Sequence, residues 1–128
     1  MKLLLDTHLL IWASSMPRRL SSSALAYLED SDNEIIYSVA SLWEVAVKFS
    51  RGKPDFLIEP KAFREGLKRN GFRELPVLAE HAIAEAGLPP IHKDPFDRLL
   101  IAQSQVEGVL LLTADDWIAQ YAGFVRHV

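Results

Sequence analysis

The chain has 128 residues, 49% hydrophobic and 24% charged, with a formal net charge of −3 and no cysteine. A chain this long forms one domain, expected over 1–128, that buries roughly two-thirds of its unfolded surface; the composition excludes a disordered chain, and the absence of thiols excludes disulfides and thiolate metal sites and fits a reducing compartment. The acidic balance speaks against a passive nucleic-acid coat, while leaving room for an enzyme that holds phosphate through a metal.

Lys2-Leu3-Leu4-Leu5 opens the chain as a short apolar run without alternation, the pattern of a central parallel strand covered on both faces. Asp6 and His8 then interrupt any signal-peptide core, and no later stretch approaches a membrane span, so a soluble, cytoplasmic domain is expected. Asp6 would stand at the carboxyl end of that first strand, where open α/β sheets place their ligands. A short helix follows over Thr7 to Ala13, then a loop from Ser14 to Arg19. Ser21 or Ser22 caps a helix that ends near Asp30.

Glu34 to Tyr37 reads as a second strand, and Ser38 caps a helix over Val39 to Ser50 with Gly52 beyond its end. That helix is apolar nearly all round, which predicts burial on most sides. Only Ser41, Glu44 and Lys48 interrupt it. Glu44 and Lys48 fit an i, i+4 ion pair on a wet stripe, worth about 0.3–0.5 kcal/mol; they equally fit a carboxylate facing a polar cleft with a lysine beside it.

Pro54 to Glu59 is a loop, and Pro60 starts a helix to about Asn70, which Gly71 ends. Phe72 to Val77 is a third strand, interrupted late by Pro76, Glu80 to Ala86 a helix, and Gly87 to Pro90 a turn. Asp94 caps the next helix, with Pro95 at its first position and Asp97 at its third; Gly108 ends it. Val109 to Thr113 repeats the character of the first strand. Trp117 to Tyr121 reads as a helix and Phe124 to His127 as a small edge strand. Alternating short strands and helices predict a three-layer α/β/α domain with a mostly parallel central sheet of four to five strands.

Both strongly apolar strands run straight into a hydroxyl and an acid: Asp6-Thr7 after the first, Thr113-Ala114-Asp115 after the later one. Parallel neighbours would put both carboxylates on one rim, with Asp97 at the start of the returning helix and Glu44 joining from the buried one. Each acid has a local alternative. Asp6 and Asp94 suit helix caps, Asp97 would gain about 0.3–1 kcal/mol from its helix dipole, and Asp115 and Asp116 suit a helix start. Their convergence is another matter, because two like charges ~4 Å apart cost about 4 kcal/mol at an effective dielectric near 20. Such a cluster needs raised pKa values or a bound cation. Oxygen donors without cysteine or paired histidines favour a hard divalent ion over zinc, and a hard ion among acids fits phosphate chemistry.

With these residues placed, the chain resembles a PIN-domain ribonuclease, and more narrowly a VapC-type toxin of a toxin–antitoxin pair. The resemblance covers the whole chain through Leu4-Leu5-Asp6-Thr7-His8, Ser41-Leu42-Trp43-Glu44-Val45-Ala46-Val47-Lys48, Asp94-Pro95-Phe96-Asp97-Arg98-Leu99-Leu100-Ile101-Ala102-Gln103 and Leu112-Thr113-Ala114-Asp115. It implies Mg²⁺- or Mn²⁺-dependent RNA cleavage by a metal-activated water, leaving a 3′-hydroxyl and a 5′-phosphate. Asp6 and Asp97 would be the principal metal ligands, and Glu44 and Asp115 would complete the site directly or through water. Thr7 and Thr113 would orient a carboxylate or phosphate, or serve only as turn hydroxyls. Asp116 could replace Asp115, although the Thr-x-Asp spacing favours the earlier residue.

Lys48, Arg51, Lys53, Lys93 and Arg98 are the cations nearest these segments, with Lys48 and Arg98 the candidates for touching the RNA backbone. His8, His81, His92 and His127 show no ligand-like spacing and receive no role, and Trp12, Trp43 and Trp117 are read as core or dimer contacts. The resemblance further implies a homodimer and a VapB- or Phd-like antitoxin whose tail fills the groove above the acids. Two rivals remain. A receiver-type phosphoacceptor domain would show paired acids after the first strand, an acid after the third and a lysine after the last, none of which is present. A catalytically silent PIN module that only binds a partner is the other.

Overall fold

The computed structural model describes all 128 residues, Met1 to Val128. Five strands, β1 (Lys2–Leu5), β2 (Glu34–Ser38), β3 (Arg73–Leu75), β4 (Leu110–Thr113) and β5 (Val125–His127), form one sheet in the order β3-β2-β1-β4-β5. Every neighbouring pair is parallel. Helices α1 (Thr7–Ser15), α2 (Ser22–Glu29), α3 (Val39–Ser50), α4 (Pro60–Arg69), α5 (Ala79–Ala86) and α6 (Pro95–Glu107) cover both faces. The expected three-layer α/β/α architecture with a parallel centre is what the chain forms. The strand order also removes the receiver-type rival, whose sheet runs 2-1-3-4-5. No helix is long and apolar enough to cross a membrane.

Pleating explains the uninterrupted leucines of β1. Leu3 and Leu5 pack with Leu9, Leu10, Val45, Phe63 and Leu67 on one side, while Leu4 packs with Ile36, Leu100, Ile101 and Leu111 on the other. Successive side chains point to opposite faces, and here both faces are core. The register Leu3↔Leu110, Leu4↔Leu111 and Leu5↔Leu112 sets Asp6, just past β1, beside Thr113, the last residue of β4. Each helix that runs back against a parallel strand begins at the strands' carboxyl edge, which places the starts of α1, α3 and α6 on the same rim.

Four sequence expectations need correction here. The third strand spans only Arg73–Leu75, rather than Phe72 to Val77; Pro76 has no N–H to extend the ladder, and its carbonyl instead accepts from Gln103 Nε2 at 3.2 Å. The expected helix over Trp117 to Tyr121 is a single 3₁₀ turn, Ile118–Gln120, because residues 114–124 must carry the chain back to the start of β5. The third correction concerns α3, which is not buried on most sides: Trp43 is 61% exposed and Phe49 is also exposed, whereas Ser41 and Glu44 are buried. The presumed wet stripe therefore faces inward and part of the apolar surface faces out. The fourth concerns the core half of the tryptophan reading: Trp43 and Trp117 lie at the surface, which leaves them the dimer-contact alternative, and only Trp12 packs partly against the core.

Candidate active site

The rim carries Asp6, Glu44, Asp97 and Asp115; the fold ties in one carboxylate oxygen of Glu44, Asp97 and Asp115, and both of Asp6. Asp6 caps α1, its Oδ1 accepting from Leu9 N at 2.8 Å, and its Oδ2 accepts from Thr113 Oγ1 at 2.5 Å. Asp115 Oδ1 accepts from Trp117 N at 2.7 Å and Ile118 N at 3.2 Å. Glu44 Oε2 pairs with Lys48 Nζ at 2.8 Å. Asp97 Oδ2 lies 2.8 Å from His92 Nε2. The capping and ion-pair readings of these acids are thus correct and compatible with a shared site, because a carboxylate has a second oxygen and about four lone-pair sites.

Burial makes the arrangement electrostatically costly. Asp6 is 1% exposed, Glu44 3% and Asp97 8%. Desolvation raises the Asp6 carboxyl above its ordinary value of 3.8; the Thr113 hydroxyl, the Leu9 N–H and nearby His8 pull it down, and Asp115 pushes it further up. Desolvation also raises Asp97, to about 6, opposed by His92 and reinforced by the charges of Asp94, Glu44 and Asp6. Asp97 therefore senses Glu44 and Asp6, and Asp6 senses Asp115, so these carboxylates share one electrostatic basin. Of the lysines and arginines, only Lys48 pairs with any of these four acids, at Glu44.

Glu44 Oε1 tests most directly whether these residues fit a cation. It is buried and has no hydrogen-bond partner, a condition that costs about 1–3 kcal/mol for a neutral group and more for a charged one. An orphaned carboxylate oxygen beside two carboxyls with raised pKa values, in a donor set of oxygens alone, fits a hard divalent cation.

The remaining residues divide clearly. Thr113 orients the Asp6 carboxylate, as its sequence position suggested. Thr7 does not touch a carboxylate; its hydroxyl donates to Ser41 Oγ at 2.9 Å and ties α1 to α3 beneath the acids. Asp94 is the α6 cap, its Oδ1 accepting from Phe96 N and Asp97 N. Asp116 is no substitute for Asp115, since it is highly exposed and lies 3.2 Å from His127 at the surface.

Arg98 requires a plain correction. It is not free to touch an RNA backbone, because its guanidinium pairs with Glu85 Oε1 at 2.6 Å and donates to the carbonyls of Glu85, Leu88, Pro89 and His92. Lys48 stands between Glu44 and solvent, and a groove of about 560 Å³ begins there, lined by Trp12, Phe56 and Arg19 among others. An adjoining hollow shares Lys48, Asp55 and Phe56 and adds Arg51 and Lys53, so cations outnumber the one acid, Asp55, along this approach. His92 is the residue that sequence reasoning missed. Its signal was faint, a lone histidine two positions before a helix cap.

A family model described as PIN domain matches residues 3–123. Among solved structures, the fold is similar to a chain of VapBC2 from Rickettsia felis bound to a DNA fragment from their promoter, with a TM-score of 0.70 at 16% identity over 99% of this chain and 98% of that one. It is likewise similar to a chain of DNA-bound VapBC from Salmonella typhimurium, with a TM-score of 0.68 at 16% identity over 100% and 97%. A toxin–antitoxin complex from Klebsiella pneumoniae gives 0.67 at 18% identity over 96% and 94%. Likenesses this distant in sequence establish a common fold. No curated protein sequence matches the chain.

Proposed function

The chain belongs to the PIN-domain family, and from that premise we propose that it is a VapC-type toxin, a Mg²⁺- or Mn²⁺-dependent endoribonuclease of the cytoplasm. The observation that carries this reading is the buried, unpartnered Glu44 Oε1 in one basin with Asp6, Asp97 and Asp115. Asp6 and Asp97 would hold the ion, with Glu44 and Asp115 completing the site directly or through water. Bound there, the ion supplies a water of lowered pKa and neutralises charge on the phosphodiester oxygens. The side chains of this protein do the rest. Thr113 keeps the Asp6 carboxylate in one orientation, and Lys48 holds Glu44 by its other oxygen. Lys48 also guards the cationic approach, where Arg51 and Lys53 would receive the substrate backbone.

Partners follow from the same reading. Chains of this fold occur in VapBC complexes, which supports an antitoxin partner; a VapB- or Phd-like kind covering the groove and a homodimer of this chain belong to the same proposal.

The decisive experiment uses protein purified free of any antitoxin. It should cut single-stranded or loop RNA with Mn²⁺ or Mg²⁺, stop in EDTA and resume when excess Mn²⁺ is returned. Cleavage that survives EDTA would put the chemistry elsewhere, and an inert protein that still binds the ion would be the silent binding module. For the substrate path, Lys53→Ala should weaken RNA binding about equally for all sequences and reduce the slope of log affinity against log salt by about 1. Filter binding at several salt concentrations checks this, and an unchanged slope moves the RNA away from this groove.

A further inference from the structure

Resting on the metal-nuclease reading above, we propose that His92 is a positioning residue of the site: its Nε2–H donates to Asp97 Oδ2, locks that carboxylate in one rotamer and leaves Oδ1 as the ligand atom. The two heavy atoms are 2.8 Å apart. An ionised carboxylate only accepts, so the proton lies on Nε2. Asp97 Oδ1 accepts no hydrogen bond from the chain, in contrast to Oδ2.

The loop that carries His92 is held far more firmly than a surface histidine requires. The His92 N–H donates to Tyr121 Oη at 2.9 Å, and the Tyr121 hydroxyl in turn donates to Pro89 O at 2.9 Å. The His92 carbonyl accepts from Arg98 Nη1 at 3.3 Å. Its imidazole stacks on Trp117 with ring centroids 6.5 Å apart and planes 10° from parallel. Arg98 comes from the first turns of α6, while Tyr121 and Trp117 come from the segment after β4. Backbone and ring are thus fixed from separate elements, and the product of that fixation is one hydrogen bond to one acid. Partners of this kind set ligand orientation, and removing one typically lowers metal affinity 10–100-fold.

Direct ligation is the competing arrangement, because His92, Asp94 and Asp97 each offer a ligand atom within 4.8 Å of the others. Against it, His92 Nε2 already meets Asp97 Oδ2 at 2.8 Å, the geometry of a hydrogen bond between the two side chains.

The test is Mn²⁺ binding by the full-length chain, followed by electron paramagnetic resonance and calorimetry, with folding checked by melting in EDTA. His92→Ala should weaken Mn²⁺ binding 10–100-fold, and His92→Gln, whose amide N–H reaches the same position, should restore it. Should the alanine variant fail to fold, His92→Asn takes its place, being too short to reach Oδ2. Wild-type affinity in both the alanine and glutamine variants overturns the role of His92 while leaving the metal site intact. Glutamine as weak as alanine overturns it in favour of direct ligation. A wild-type protein that takes up no Mn²⁺ overturns the metal reading, and the positioning role with it.

Discussion

Asp97→Asn is expected to abolish RNA cleavage and, in metal-free protein at neutral pH, to raise the melting temperature. The two halves share one cause. Asp97 is held in a buried basin with Asp94, Glu44 and Asp6, and burial with that repulsion lifts its carboxyl from 3.8 to about 6. Below pH 3.8 the carboxyl is protonated in both folded and unfolded chains. As pH rises from about 4 to 6 the unfolded chain ionises first, so stability falls through that window, and the full penalty is present above it. A shift of this size corresponds to about 3 kcal/mol, of which the amide, which removes the charge but keeps an acceptor for His92, should recover roughly 1–3 kcal/mol. In a chain of this length that is on the order of 3–6 °C per kcal/mol. Loss of a principal ligand should meanwhile lower the cleavage rate on the order of 10³-fold or more, since such an ion supplies several kcal/mol of transition-state stabilisation.

Calorimetry in EDTA at pH 7.5 and pH 4, beside a cleavage assay with Mn²⁺, reads both halves. The stabilisation should be present at pH 7.5 and vanish at pH 4. A variant that melts lower than wild type at pH 7.5, or one that still cleaves, would contradict the account. Asp6→Asn should also be inactive but less stabilised, because Asp6 accepts from both Leu9 N and Thr113 Oγ1 and an amide offers only one acceptor atom.

The second large effect is structural. Arg98→Ala should cost about 2–4 kcal/mol, because it strands Glu85 and several carbonyls that the guanidinium now satisfies. Cleavage should fall with it, since the same side chain holds the loop that delivers His92 to Asp97. Arg98→Lys should not rescue either property, as a single ammonium cannot span contacts made by a planar fork. Melting temperature and RNA affinity distinguish the two roles. If Arg98 served the RNA backbone, alanine would leave the melting temperature unchanged and weaken binding alone.

These outcomes show where sequence reasoning reached and where it stopped. Glu44 had two readings, an ion pair with Lys48 and a carboxylate in a polar cleft, and the structure contains both at once. Periodicity could not decide which side of α3 faced in, because Val39, Leu42, Trp43 and Phe49 surround the helix with apolar surface. Only the packing of Val45 and Ala40 into cores on opposite sides of the sheet turned Ser41 and Glu44 inward. Arg98 looked like a free cation because its partners, Glu85 and the carbonyls of residues 85–92, are joined to it by a loop with no motif of its own.

What the sequence determined alone is local and repetitive: apolar strands buried on two faces, a serine or aspartate at the start of most helices, Gly108 in the left-handed conformation (φ 66°) past the end of α6, and acids placed directly after β1 and β4. Those signals sufficed for the layers and the parallel sheet and made Asp6 and Asp115 candidates, while the full set with Glu44 and Asp97 came from the family resemblance. Tertiary structure decided the rest, namely which carboxylate oxygens the fold occupies, the orphaning of Glu44 Oε1, and the meeting of His92 with Asp97. The physical reason is range. Caps and strand patterns depend on neighbours a few residues away, whereas desolvation and the pairing of Thr113 with Asp6 exist only after distant segments have closed over one another.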